Sequence, residues 1–170
     1  MKDYGAFRAK LMRISSEISN GEFVKEAGLF VEGAAKLGAP GLSGYLKQNI
    51  FTDFDSNEGN CTATVFTDVE YAPYVELGTG PRGAADHDGI SPDVIPAYKL
   101  EPWWIHESQV DLIIAQMYKW TYIDTPQGRF YKCYGQPANP FMYPALKDNE
   151  NEVIEIMKKG INGIMERNKK

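Results

Sequence analysis

The chain has two histidines, His87 and His106, and both stand beside carboxylates. Asp86 and Asp88 flank His87, and Glu107 follows His106. Imidazole nitrogens and carboxylate oxygens can hold zinc and leave one coordination position open for a reactive water. The spacing of these residues matches no metal-binding motif, however, and His87 lies in a segment rich in glycine and proline. A solvated loop and a helix start are the favoured interpretations, and a metal-dependent hydrolase built on His87 and His106 is kept as an alternative.

The chain carries no other recognisable catalytic motif. It has no Gly-x-Ser-x-Gly, and the cysteines Cys61 and Cys133 stand in strand-like stretches without an activating neighbour. Gly78-Thr79-Gly80-Pro81 is not followed by the Gly-Lys-Ser/Thr of a phosphate-binding loop. The sequence therefore predicts a protein that is not an enzyme and that binds neither cofactor nor metal. The two thiols are expected to be reduced.

Charge and hydropathy narrow the range of partners. The formal net charge is −5, and lysine and arginine form no cluster larger than two neighbours. A surface of this sign repels a phosphate backbone, so specific nucleic-acid binding is not expected. The aliphatic run 112–115 is far too short to cross a membrane, and residues 1–4 lack the apolar block of a secretory signal. We expect an intracellular product with no membrane partner.

Two apolar stripes near the N-terminus predict helices. The first stripe consists of Tyr4, Phe7, Leu11, Ile14 and Ile18. The second consists of Phe23, Ala27, Phe30, Ala34 and Leu37. Steps of three and four residues place each set on one side of a helix, and the second helix should end near Gly38 because Pro40 cannot continue it. Neither helix can bury its stripe alone, so both are expected to pack on other elements.

The remaining pattern predicts an α+β fold. Strands are predicted at 50–54, 61–66, 118–123 and 129–134, with helices over 106–116 and from about 148 to the end. The turn residues between paired strands favour hairpins, so the sheet should be antiparallel, with about four strands packed by N-terminal and C-terminal helices. Residues 78–102 show glycine and proline but no periodicity, which predicts a long, flexible, irregular loop within a single domain of 170 residues.

Two stretches resemble those of a known family. The first is Tyr71 to Gly80, with the sequence Tyr-Ala-Pro-Tyr-Val-Glu-Leu-Gly-Thr-Gly, and the second is Gly135 to Leu146, which contains Pro-Phe-Met-Tyr-Pro-Ala-Leu. In this order they resemble the head–tail joining, or tail completion, proteins of tailed bacteriophages, often labelled minor capsid or tail-component proteins. Ala39 to Leu46 is similar to the segment after the opening helix of that family, with Ser43-Gly44 in place of Thr-Gly. The resemblance covers nearly the whole chain and constrains the loop 78–102 least.

The resemblance implies a structural role. Such proteins form a ring, typically of six copies, and contact the connector and the tail-tube proteins in the virion after synthesis in the host cytoplasm. The residues expected at the interfaces are Tyr71, Tyr74, Glu76, Trp103, Trp104, Gln136 and Phe141.

Two alternatives remain open for these residues. Prolines on both sides of Phe141 make a stiff arm, and its ring could serve as a staple in the core of its own chain or as a knob inserted into a neighbour. Trp103, Trp104 and the tyrosines would also suit a small peptide-binding module. These aromatic side chains predict an interaction surface under either function.

Overall fold

The computed structural model describes residues 4–41, 44–57, 59–111, 115 and 119–169. The chain divides into two compact units. Unit 1 combines Met1–Val69 with Phe141–Lys170, and unit 2 is Glu70–Pro140. The predicted α+β class with antiparallel strands is confirmed, although the described residues form two sheets, of two and three strands, rather than one sheet of about four. That the whole chain is a single domain stays a prediction.

The elements follow one another as α1 (Tyr4–Ser19), α2 (Glu22–Gly38), α3 (Tyr45–Gln48), β1 (Ile50–Asn57), β2 (Asn60–Thr67), α4 (Ala72–Leu77), α5 (Gly80–Ala85), β3 (Trp103–His106), a 3-10 helix (Glu107–Gln109), β4 (Tyr122–Thr125), β5 (Gly128–Cys133), α6 (Met142–Lys147) and α7 (Glu150–Arg167). Among the described residues, no helix combines the length and the apolar character needed to cross a membrane. Both cysteines are free thiols.

In unit 1, α2 packs closely on the β1–β2 hairpin. The two strands pair antiparallel from Ile50 opposite Thr67 to Asn57 opposite Asn60. At Gly28 the helix backbone comes so near the sheet that a Cβ there would lie 2.6 Å from the Cβ of Ala63. A larger side chain at position 28 would therefore push the helix away from the hairpin.

The predicted stripe of α2 is wrong in its second half. Phe30 is 36% exposed and Leu37 is 84% exposed. The buried side runs instead through Gly28, Val31 and Ala35. Both sets of residues have helical spacing, so the pattern alone could not choose between them. The close approach at Gly28 turns the other set toward the sheet.

Helix α1 forms where the first stripe predicts it, but the expected packing of that stripe is wrong. All residues of α1 are described, and none of them is buried. Polar contacts join α1 to the end of α7: the Glu17 carboxylate accepts hydrogen bonds from Asn168 Nδ2 (3.3 Å) and Arg167 (3.2 Å). The hydrogen bond from Asn168, with the neighbouring Arg167, holds the pKa of Glu17 below its ordinary value.

Unit 2 contains the sheet β3-β5-β4. Trp103 opposite Cys133 and Tyr122 opposite Tyr131 are pairs of its antiparallel register. The helix predicted over 106–116 is wrong at its start, where His106 ends β3 and a 3-10 helix follows. The Glu107 carboxylate accepts a hydrogen bond from the backbone N–H of Arg129 (3.1 Å), which ties this segment to β5. Residues 112–114 and 116–118 of the predicted helix and strand lie outside the described residues.

The segment 78–102 is only partly irregular. Gly80–Ala85 forms α5, whose first turn contains Pro81, a residue that suits this position. Residues 86–102 contain neither helix nor strand. The Tyr98 hydroxyl donates a hydrogen bond to the carbonyl oxygen of Leu77 (2.7 Å), which fastens this stretch to the end of α4.

Candidate interaction surface

The two family-like motifs meet in unit 2. Thr79 and Gln136 form an antiparallel bridge, in which each backbone N–H donates to the carbonyl oxygen of the other, at 2.8 and 3.1 Å. The side-chain amide of Gln136 also donates to the carbonyl oxygen of Tyr74 (2.9 Å). Asn139 extends the pairing through a hydrogen bond to the carbonyl oxygen of Val75 (2.8 Å). Segments far apart in the sequence therefore lie side by side.

Glycine is required where the two motifs cross. Gly135 has a φ of +75°, and a Cβ there would overlap the carbonyl oxygen of Thr79. At Gly80, with a φ of +61°, a Cβ would lie 2.8 Å from the indole of Trp103. These glycines allow the close approach of two backbones and a ring, which explains their presence without any phosphate-binding role.

The crossing forms a groove lined by Tyr71, Tyr74, Val75, Thr79, Trp103 and Gln136. We name it the tyrosine–tryptophan groove; its volume is about 500 Å³. Four of the seven residues predicted at interfaces line it. Tyr74 is 59% exposed, so its ring stands at the opening, while Trp103 is half-buried.

The other predicted interface residues lie outside this lining. Trp104 follows Trp103 on β3 and is exposed, and successive side chains of a strand point to opposite faces. Glu76 is half-buried on α4. The Nζ of Lys99 lies 5.7 Å from the centroid of the Trp103 ring, which places a cation beside the groove.

Phe141 is a core residue, and its predicted role as an interface knob is wrong. It is 2% exposed in unit 1, where it precedes α6 and lies against Gly38 at the end of α2. Of the two alternatives, the staple within its own chain is the one found. The rigid proline-flanked arm serves to place this ring in the core.

The histidine rings make hydrogen bonds within the chain: His87 to a residue four positions earlier, and His106 to the residues that follow it and to the β4–β5 turn. Nδ1 of His106 accepts a hydrogen bond from the backbone N–H of Ser108 (3.2 Å), and Nε2 lies 3.0 Å from the carbonyl oxygen of Gln127. Nδ1 of His87 lies 3.0 Å from the carbonyl oxygen of Gly83. Within the described part of the chain, no group of three or more His, Cys, Asp or Glu residues is placed to hold a metal ion.

Sequence reasoning missed an apolar groove in unit 1. We name it the unit 1 groove; it has a volume of about 470 Å³ and lies among α2, β2, α6 and α7. Its apolar lining includes Val24, Val31, Val65, Leu146, Val153 and Met157. The helical spacing of Val153 and Met157 was visible in the sequence, but a groove made by four separate elements has no local signature.

No protein-family model matches this chain, and no curated protein or solved structure matches it either.

Proposed function

We propose that this chain is a structural subunit of a tailed bacteriophage or prophage, forming a ring at the joint between head and tail. The observation that carries the proposal is the pairing of Thr79 with Gln136, which joins the two motifs resembling that family. Both motifs build one surface feature, the tyrosine–tryptophan groove. On this proposal the partners are further copies of the chain, the connector and the tail-tube protein.

The groove has the chemistry of a contact surface. Tyrosine and tryptophan are enriched at protein interfaces because they bury a large area at a small cost in side-chain entropy. Backbone hydrogen bonds across the motif crossing hold the groove residues in place before any partner arrives. A preorganised surface loses less entropy on binding, which suits a permanent joint.

A ring of identical subunits also needs a second surface. Each copy must present two different complementary faces, so that head-to-tail contacts can close. The tyrosine–tryptophan groove supplies one contact surface on this proposal, either to the next copy or to a connector or tail protein.

The groove can be tested with particles. A phage lacking its own copy of the gene is supplied with the Tyr71→Ala/Tyr74→Ala variant, and joined particles are counted by electron microscopy. We expect at least a tenfold loss, since truncating a central aromatic at an interface weakens binding by about 2 kcal/mol or more. Tyr122→Ala is the matched control, because Tyr122 is also exposed in unit 2 but does not line the groove. Equal numbers of joined particles with the double variant and the control would contradict the role of the groove.

The same groove favours one other function, the binding of a short peptide by a small module. An aromatic groove of this kind holds an extended segment through ring contacts and an amide such as Gln136. The particle experiment separates the two functions, because a peptide-binding module would leave head–tail joining unchanged when Tyr71 and Tyr74 are truncated.

A further inference from the structure

Helix α1 presents an apolar side that its own chain does not bury. The helix has 16 residues, and none of them, all being described, is buried. Phe7 is 61% exposed, and Tyr4, Leu11 and Met12 are exposed as well. A helix of this length has marginal stability in water unless packing covers its apolar side. The exposed stripe therefore calls for a partner.

The unit 1 groove is an apolar depression in the same unit. Its lining is predominantly aliphatic, and Leu146, which is 51% exposed, lies at its edge. A groove among helices and a sheet is the kind of surface that accepts the apolar side of an amphipathic helix. The α1 stripe and the groove are both apolar, so the one can pack against the other.

The groove of one chain is out of reach of its own α1. Lys10 donates a hydrogen bond to the carbonyl oxygen of Lys169, and Glu17 contacts Arg167, so α1 is fastened at the C-terminal end of α7. The groove contacts the first half of α7, at Val153 and Met157. Met157 and Arg167 are about 15 Å apart along the helix axis, and Val153 is farther away.

Charge favours a second copy as the occupant. Helix α1 carries Arg8, Lys10 and Arg13 against a single carboxylate, Glu17. The groove lies beside the largely exposed stretch 147–155, which holds four carboxylates, Asp148, Glu150, Glu152 and Glu155, and one lysine. That lysine, Lys147, pairs with Glu150 (2.9 Å), and Glu155 pairs with Lys158 (2.8 Å), so the stretch as a whole is acidic but two of its carboxylates already have a partner. Opposite charge on two surfaces speeds their encounter and fixes their orientation.

We propose that α1 of one copy docks in the unit 1 groove of the next copy. Phe7 and Leu11 enter the groove beside Leu146 and Val153, and the basic residues of α1 face the acidic start of α7. The contact joins two different surfaces, so it propagates from copy to copy and closes into a ring when the angle allows. This inference rests on the ring-forming subunit proposed above and names the parts that join its copies.

Two single variants and their mixture test the contact in solution. Leu11→Asp disables α1 and leaves the groove intact, while Leu146→Lys disables the groove and leaves α1 intact. Masses are measured by sedimentation over a range of protein concentrations. The wild-type chain should assemble, and each variant alone should associate at least tenfold more weakly. The equimolar mixture should form dimers and nothing larger, because it contains one working helix and one working groove per pair.

Two further variants control for the added charge and for loss of folding. Ile95→Asp introduces the same charge at an exposed position of unit 2 and should assemble as the wild type does. Phe7→Asp replaces Leu11→Asp if circular dichroism shows that the latter is unfolded. A wild-type chain that stays monomeric at the highest concentration reached, or variants that assemble normally, or a mixture that stays monomeric, would overturn the proposal.

The outcome is separable from that of the proposed function. Assembly of the purified chain through α1 can fail while the protein still joins heads to tails through the tyrosine–tryptophan groove. Conversely, copies can assemble through α1 even if particles made without the protein are normal.

Discussion

Replacing Phe141 with alanine is expected to lower the free energy of unfolding of unit 1 by about 3–5 kcal/mol, the range for deleting a buried phenylalanine ring. Phe141 is among the largest fully buried side chains of the described chain, together with Leu46 and Ile50. Its backbone and Cβ lie beside Gly38, the last residue of α2, and it directly precedes α6. Removing it leaves a cavity that rigid helix packing cannot close.

Chemical denaturation followed by circular dichroism measures this loss. Phe51→Ala is the matched control, because the Phe51 ring is exposed on the hairpin, with the Phe66 ring centroid 6.2 Å and the Lys36 Nζ 6.0 Å from its centroid. The control should cost no more than about 1 kcal/mol. If Phe141→Ala cost as little as the control, Phe141 would not be the core staple that the fold indicates.

Replacing Gly135 with alanine should destabilise unit 2 by about 2–4 kcal/mol, because a non-glycine residue at positive φ is strained and a steric overlap adds to the strain. The new Cβ would overlap the carbonyl oxygen of Thr79 and lie 2.9 Å from the backbone nitrogen of Gly80. To relieve the overlap, the backbone bridge between Thr79 and Gln136 would have to separate. Because both residues line the tyrosine–tryptophan groove, its lining would move apart as well.

The three tryptophans of the chain, Trp103, Trp104 and Trp120, all belong to unit 2, so their fluorescence follows this change during denaturation. Gly44→Ala is the control, because it separates the cost of a side chain at positive φ from the cost of a steric overlap. Gly44 also has positive φ, +70°, but the nearest atom to a Cβ there would be 3.8 Å away. Its cost, followed by circular dichroism, should be about 1 kcal/mol. Equal costs for the two variants would show that the motif crossing tolerates a side chain.

Local patterns in the sequence were enough to place the three longest helices and to indicate both hairpins, although the strand predicted at 118–123 begins only at Tyr122 among the described residues. Tyr4–Ser19 and Glu22–Gly38 follow from helical spacing and from Pro40, and β1–β2 follows from β-branched and aromatic residues on both sides of a turn. The side that a helix buries is a different question, because it depends on what lies opposite. In α2, Val31 is buried and Phe30 is not, because the side of the helix that bears Gly28 packs on the sheet.

Long-range pairings escaped sequence reasoning for the same physical reason. Trp103–His106 was not predicted as a strand, and it becomes one by pairing with β5. The two motifs could be recognised separately, but their contact through Thr79 and Gln136 joins positions 57 apart, and no local pattern encodes it. For the candidate site, the residue types were therefore predictable and the groove they form was not.

Phage particles produced from a genome in which this gene is interrupted test the central claim most directly. The ring is proposed to hold head and tail together, so electron microscopy should show DNA-filled heads and finished tails that remain separate. Supplying the wild-type chain should restore joined particles. Joined, infectious particles in its absence would contradict a role at the head–tail joint.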